Sequence, residues 1–217
     1  MTPGKETDMG MDYFIARASE LRSFLESRLA EASAEFAFLD PWGGDVPRRL
    51  SAFVRGGKMI RGGLVFLGQE AAGAERSDEA VIVGAAMELL QSGFLIHDDI
   101  MDRDRLRRGM SSIFWQYRGE AHARGLADAY HYGESMGICA GDAAFFLAFT
   151  LLSSPGLPPA LAAYCGREIY AVSLAQMLDV DYGSFPEIPA ERDIETLYRW
   201  KTGRYSFSLP LAAGAML

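Results

Sequence analysis

The sequence predicts an all-α protein, a single bundle built around long central helices. Three observations predict it. Apolar residues recur at helical spacing through most of the 217 residues. Strand signals are scarce, with no clean period-2 segment and no Asn-Gly or Asp-Gly hairpin turn. Apolar residues make up 49% of the chain, enough for one substantial core. One domain is expected over 1–217, with residues 1–11 disordered.

The elements follow in order. Residues 12–35 place Phe14, Ala18, Leu21, Leu25 and Leu29 on one side of an amphipathic helix. The segment 41–47 carries a proline at each end and reads as a break. Gly56-Gly57 precedes a helix expected to start near Lys58. Ser77 or Asp78 is placed to cap the next helix, which runs through apolar 80–96 into an acidic end at 98–102. Residues 103–109 read as a charged loop. Residues 133–152 are apolar nearly all round, so this helix is expected at the centre of the bundle. Ser154-Pro155-Gly156 ends it. A helix is expected over 158–181, a connection around Pro186 and Pro189, and a last helix from Ala190 onward. The final residues, 208–217, are apolar with no closing polar turn. They are expected to present a face whose partner this chain does not supply, as in a domain that continues past Leu217.

Composition excludes some functions. A formal net charge of −8 disfavours nucleic acid or an anionic membrane surface as partner. It leaves open an anionic small molecule, because a metal ion inverts the sign of a local site. The two cysteines, Cys139 and Cys165, lack metal-ligand spacing and read as reduced thiols of a cytoplasmic protein. No secretory signal is visible at the N-terminus. The most membrane-like stretch, 136–152, is short and carries Asp142, so it reads as a buried helix rather than a span.

The chemistry centres on Asp98-Asp99-Ile100-Met101-Asp102. On a helix, Asp98 and Asp102 are i and i+4, so two repelling carboxylates leave one face a turn apart. Oxygen ligands in that arrangement suit Mg2+, which completes its shell with water and phosphate oxygens. Asp99 points elsewhere. The bland alternative is a solvated acidic helix end. Basic groups surround the motif: Arg107-Arg108-Gly109 just after it, Lys58 and Arg61 behind two glycines, and Lys201-Thr202-Gly203-Arg204 near the end. Each alone reads as surface charge; three clusters with one magnesium site suggest two diphosphates in one pocket. Gln176 and Asp179, i and i+3 in an apolar helix, are either a hydrogen-bonded pair or the opposite wall of that pocket. His97 reads as a structural imidazole. Met87, Leu90 and Phe94 follow the face that ends at Asp98, as core or as the lining of a tunnel.

Together these motifs resemble the polyprenyl synthetase family of farnesyl, geranylgeranyl and longer-chain diphosphate synthases, in the right order from about Gly56 to Leu217. Gly56-Gly57-Lys58-Met59-Ile60-Arg61 is similar to its Gly-Gly-Lys-x-x-Arg, and Leu95 to Asp102 with Leu106-Arg107-Arg108-Gly109 to its first aspartate-rich motif and diarginine. Glu88-Leu89-Leu90-Gln91, Gly141-Asp142, Gln176-Met177-Leu178-Asp179 and Lys201-Thr202-Gly203 fall where the family has like elements. The resemblance implies an isoprenoid synthase-type helical bundle around a central active-site cavity, and a homodimer. It also implies condensation of an allylic diphosphate with isopentenyl diphosphate into an all-trans product of C15 to C20. Lys58, Arg61, Gln91 and Arg108 would hold isopentenyl diphosphate. Arg107, Lys201 and Thr202 would hold the allylic diphosphate, lined by Gln176 and Asp179, with Asp98 and Asp102 on Mg2+. Gly93 and Phe94 would set the pocket floor, with Leu90 and Met87 deeper.

Gly62 stands where the family usually has proline, and Met110-Ser111-Ser112 where it usually has Lys-Pro-Thr. The family's second aspartate-rich motif lies beyond Lys-Thr-Gly, past Leu217, so the 217 residues are expected to catalyse poorly. A class I terpene cyclase shares the first motif, but has no second diphosphate for Lys58, Arg61 and Gln91 to hold. A non-catalytic small subunit of a heteromeric synthase is the other alternative, against which the intact Asp98, Asp102, Arg107 and Arg108 weigh.

Overall fold

The structure, a computed structural model, describes residues 6–217. Helix α1 (Glu6–Glu35) buries Ala18, Leu21, Leu25 and Leu29, the stripe read from the sequence. Of the segment expected to be disordered, residues 6–11 continue the backbone of α1 and 1–5 lie outside the described residues. Helix α2 (Trp42–Arg55) packs on α1. Pro47 sits inside α2 instead of ending the break, in its second turn, where one backbone hydrogen bond is lost.

Helix α3 (Ile60–Ala71) starts two residues later than expected, after Met59 turns left-handed (φ 55°). Helix α4 (Asp78–Met101) runs through the middle of the bundle and touches α1, α2, α3, α5 and α6. Ser77 precedes it without a side-chain cap bond. It exchanges bonds with Gln69 instead, whose amide donates to Ser77 Oγ at 2.9 Å and accepts from Ser77 N–H at 3.2 Å.

The stretch 103–109 is not a plain loop. Strands β1 (Leu106–Arg107) and β2 (Met110–Ser111) pair across a two-residue turn, Arg108-Gly109. Both turn residues have positive φ, 53° and 79°, the geometry of a type I′ hairpin. The signal was missed because the strands are two residues long and arginine is an unusual occupant of that turn.

Helices α5 (Ile113–Ala123) and α6 (Ala129–Leu152) pack together and against α4. The centre of the bundle is α4, not α6 as expected. Within its most apolar window α4 is 72% buried, whereas α6, the more apolar helix, is 33% buried. Ile138 and Phe146 of α6 are exposed. Glycines and alanines let α6 sit close to α4 on one face only: a Cβ at Gly137 would lie 2.8 Å from Ile100, and at Gly141 2.3 Å from His97.

Helix α7 (Pro159–Ser184) starts with proline in its first turn and leads to α8 (Glu191–Tyr198). The last expected helix is three segments: α8, a π-helix over Arg199–Ser208, and α9 (Leu209–Ala215). The apolar end also departs from expectation. Leu209 and Ala213 have no exposure, because α9 lies against α3. Two glycines allow the approach: a Cβ at Gly68 would lie 2.1 Å from the Leu211 carbonyl oxygen, and at Gly214 1.9 Å from that of Val65.

Candidate active site

The last turn of α4 carries Asp98 and Asp99 and no basic residue, and Asp102 is its C-cap. Carboxylates there face both each other and the negative end of the helix dipole. Asp99 is fully buried and held by Arg107, whose Nε and Nη2 reach Asp99 Oδ1 at 2.6 and 2.5 Å. Burial pushes the Asp99 carboxyl up to about 6, with Arg107 opposing. Asp98 and Asp102 have no ion pair among the described residues, and burial raises the Asp98 pKa, Lys201 opposing and Asp102 adding to it. Asp98 and Asp102, without a basic partner among the described residues, are suited to a cation. No group of three or more acidic, His or Cys side chains fit for a metal occurs among the described residues. The donor set therefore fits a hard cation that takes its other ligands from a bound phosphate.

Two cavities meet at Asp98. One, of about 210 Å³, is polar, lined by Arg61, Gln91, Lys201, Thr202, Tyr205 and Ser206. The other, of about 680 Å³, is mostly apolar and runs between α4, α6 and α7 past Met101, Phe145, Met177 and Phe185. Phe94, Asp98 and Gln176 line both. An anionic head in the first and a hydrocarbon tail in the second would join beside the Asp98 carboxylate.

The polar cleft gathers four of the residues expected to hold diphosphates: Arg61, Gln91, Lys201 and Thr202. Arg61 Nη2 donates to Ser206 Oγ at 2.5 Å and its guanidinium lies 4.6 Å from the Tyr205 ring. Gln91 Oε1 is buried without a partner. Lys201 Nζ pairs with Asp179 of α7, and buried Gln176 donates to Met101 Sδ at 3.6 Å. Lys58 is exposed on the loop before α3, whose Gly57 carbonyl accepts from Arg22 at 2.8 Å. Arg107 and Arg108 line neither cavity. Arg107 also pairs with Asp104 at 3.1 Å, and Arg108 donates to the Phe53 carbonyl at 3.0 Å. His97 packs on α6, its Nε2 3.1 Å from the Ile138 carbonyl oxygen, with an edge on the apolar cavity.

The residues expected to control chain length divide. Phe94 stands at the junction, edge-to-face with Phe145 and Tyr205 at 4.9 and 5.2 Å. Gly93, Leu90 and Met87 are buried in the packing of α4 and line neither cavity. A Cβ at Gly93 would lie 2.8 Å from Phe145 and 3.0 Å from the Gly141 carbonyl, so this glycine faces α6.

Sequence reasoning missed Tyr205, Ser206 and Phe145. Glu88 was quoted only as part of a motif. It is buried, accepts from the Gly62 N–H at 2.9 Å and faces Arg61 and Arg108; burial raises its pKa against them. It caps α3 from outside, since Met59 makes no capping bond. A lone Glu inside the apolar run 80–96 was the available signal.

A bundle with an acidic helix end between a cationic cleft and an apolar cavity is the architecture of an isoprenoid synthase. The geranylgeranyl pyrophosphate synthase of Corynebacterium glutamicum, solved with isoprenyl diphosphate and magnesium, superposes with a TM-score of 0.77 and 27% identity over 91% of this chain and 59% of that one. The chain belongs to the polyprenyl synthetase family, whose profile matches residues 48–217. It is 29% identical over 180 residues to the geranylgeranyl diphosphate synthase of Sulfolobus acidocaldarius, covering 78% of this chain and 50% of that protein. It is 34% identical over 148 residues to the short chain isoprenyl diphosphate synthase of Methanothermobacter thermautotrophicus, covering 66% and 40%. The chain thus spans half or less of the length of these curated relatives.

Proposed function

We propose that the protein is a prenyltransferase that condenses an allylic diphosphate with isopentenyl diphosphate to give an all-trans prenyl diphosphate of C15 to C20. The observation that carries this is the junction at Asp98 of a cleft with two cations and an apolar cavity of about 680 Å³. Relatives named as geranylgeranyl and farnesyl diphosphate synthases support it over a terpene cyclase.

In this reading Lys201 and Thr202 bind the allylic diphosphate, beside Gln176 and Asp179. Arg107 joins them by exchanging its exposed partner Asp104 for a phosphate oxygen. Lys58, Arg61, Gln91 and Arg108 hold isopentenyl diphosphate. Asp98 and Asp102 hold Mg2+, which when bound supplies positive charge against the leaving diphosphate. Lys201 adds to that charge as the allylic C–O bond breaks. Phe94, Phe145 and Met177 keep water from the carbocation. The alkene of isopentenyl diphosphate attacks it and the adduct loses a proton, for which the released diphosphate is the nearest base.

We also propose a cytoplasmic homodimer. Its two cysteines are free, and α4 and α6, though long and apolar enough to cross a membrane, pack together in one bundle. The exposed face of α6 borders a groove of about 340 Å³ with Phe36, Leu39, Trp42 and Val46, and a second copy would cover it.

The test is calorimetric titration of geranyl diphosphate, with and without Mg2+, into wild type and Asp98→Asn. Wild type should bind more tightly with Mg2+, by roughly ten- to a hundredfold, the worth of a charge-assisted contact. The variant should not respond to Mg2+. Equal affinities in all four titrations would overturn the reading.

A further inference from the structure

Two ion pairs tie the π-helix to α7. Lys201 meets Asp179 at the rim of the cleft. Arg204 forks onto Glu168 away from it, Nε to Oε2 at 3.0 Å and Nη2 to Oε1 at 2.6 Å, and its guanidinium lies 4.6 Å from the Trp200 ring. Neither Glu168 nor Arg204 lines the polar cleft or the apolar cavity.

Glu168 is 4% exposed and shares its face of α7 with buried Leu161, Cys165 and Val172. A carboxylate is costly there unless paired, and a bidentate guanidinium is the pairing that satisfies both oxygens. Glu168 and Asp179 are eleven residues apart, about 16 Å along a helix, while Lys201 and Arg204 are three apart. The two side chains therefore splay in opposite directions and brace the π-helix against sliding along α7.

The brace matters because this segment is thinly buried, held otherwise by the Tyr205 ring and by Arg61 on Ser206. Helix α8, which leads into it, buries no residue, and the π-helix buries Tyr205 alone. The Lys201–Asp179 pair is half-exposed, and Lys201 would have to leave it to reach a diphosphate.

We propose that Glu168 and Arg204 are a positioning pair, which keeps Lys201, Thr202 and Ser206 in register with Asp98 and Arg61 while Lys201 exchanges Asp179 for the allylic diphosphate. The proposal rests on the prenyltransferase reading.

Geranyl diphosphate with Mg2+ is titrated into wild type, Arg204→Ala, Arg204→Lys and Glu168→Gln, and amide hydrogen exchange is followed in the ligand-free proteins. Arg204→Ala should raise Kd by about tenfold, the loss of one charge-assisted interaction. It should speed exchange within 199–208 and leave α4 and α6 unchanged. Arg204→Lys, which keeps the charge without the fork, and Glu168→Gln, which keeps the shape without the charge, should be intermediate on both readouts. An unchanged Kd in folded Arg204→Ala overturns the proposal, as does a weakened Kd without faster exchange in 199–208. Failure of wild type to bind geranyl diphosphate overturns the prenyltransferase reading instead, and the exchange data alone then decide whether the pair holds the π-helix.

Discussion

Asp99 stands between two residues proposed to hold a metal, yet it is fully buried with both its contacts to Arg107 on one oxygen. Oδ2 has no partner. Its carboxyl, ordinarily near 3.8, is pushed up to about 6 by burial. The folded protein therefore holds a proton that the unfolded chain has released between about pH 4 and 6. The contribution of this group makes stability fall as pH rises through that window, and the full cost is present above it. In metal-free buffer, Asp99→Asn should flatten the pH dependence of the urea midpoint over that window. An unchanged slope would show that Asp99 titrates near its ordinary value in the fold. Reading residues alone put Asp99 off the metal face. It did not reveal that Asp99 orients Arg107, because the hairpin that brings Arg107 back onto α4 had no readable turn signal.

At the scale of elements, the contact of α4 with α6 decides which residues shape the apolar cavity. The family resemblance put Gly93 beside Phe94 at a pocket floor. The neighbouring helix gives the two positions different roles. Gly93→Ala should cost on the order of 1–3 kcal/mol by urea denaturation, since the added methyl meets Phe145 and the Gly141 carbonyl. Gly93→Phe should unfold the contact rather than shorten the cavity. Phe94→Ala should deepen the cavity and raise affinity for geranylgeranyl diphosphate relative to geranyl diphosphate. An unchanged ratio would mean the tail runs along α7, past Met177 and Phe185. The π-helix was likewise invisible in one dimension, because its extra residue per turn leaves no mark on an apolar pattern already interrupted by Lys201, Thr202 and Arg204.

For the whole molecule, the inversion of α4 and α6 carries the main consequence. The more apolar helix is the less buried one, and Phe146 is 72% exposed beside the groove under Trp42. A second copy against this face predicts a concentration-dependent dimer by light scattering. Phe146→Glu should shift it to monomer without loss of helical circular dichroism. A monomeric wild type at high concentration would place α6 at a free surface.

What the sequence determined by itself was the all-α class, the apolar stripes of α1 and α4, and the chemical character of the site. Helical periodicity and like charges one turn apart are properties of a single helix, and they are legible along one strand of text. Asp98 and Asp102 stood out that way, and Lys58 with Arg61 and the Lys201 segment stood out as basic clusters. Tertiary structure alone decided which of these share a cleft, that Gly93 faces a helix instead of a cavity, that α9 is covered by α3, and that Arg204 serves Glu168. Each of those outcomes depends on which helix lies against which, at a separation set by glycines and bulky side chains distant in sequence. That distance is fixed by packing three-dimensional volumes, and no local pattern encodes it.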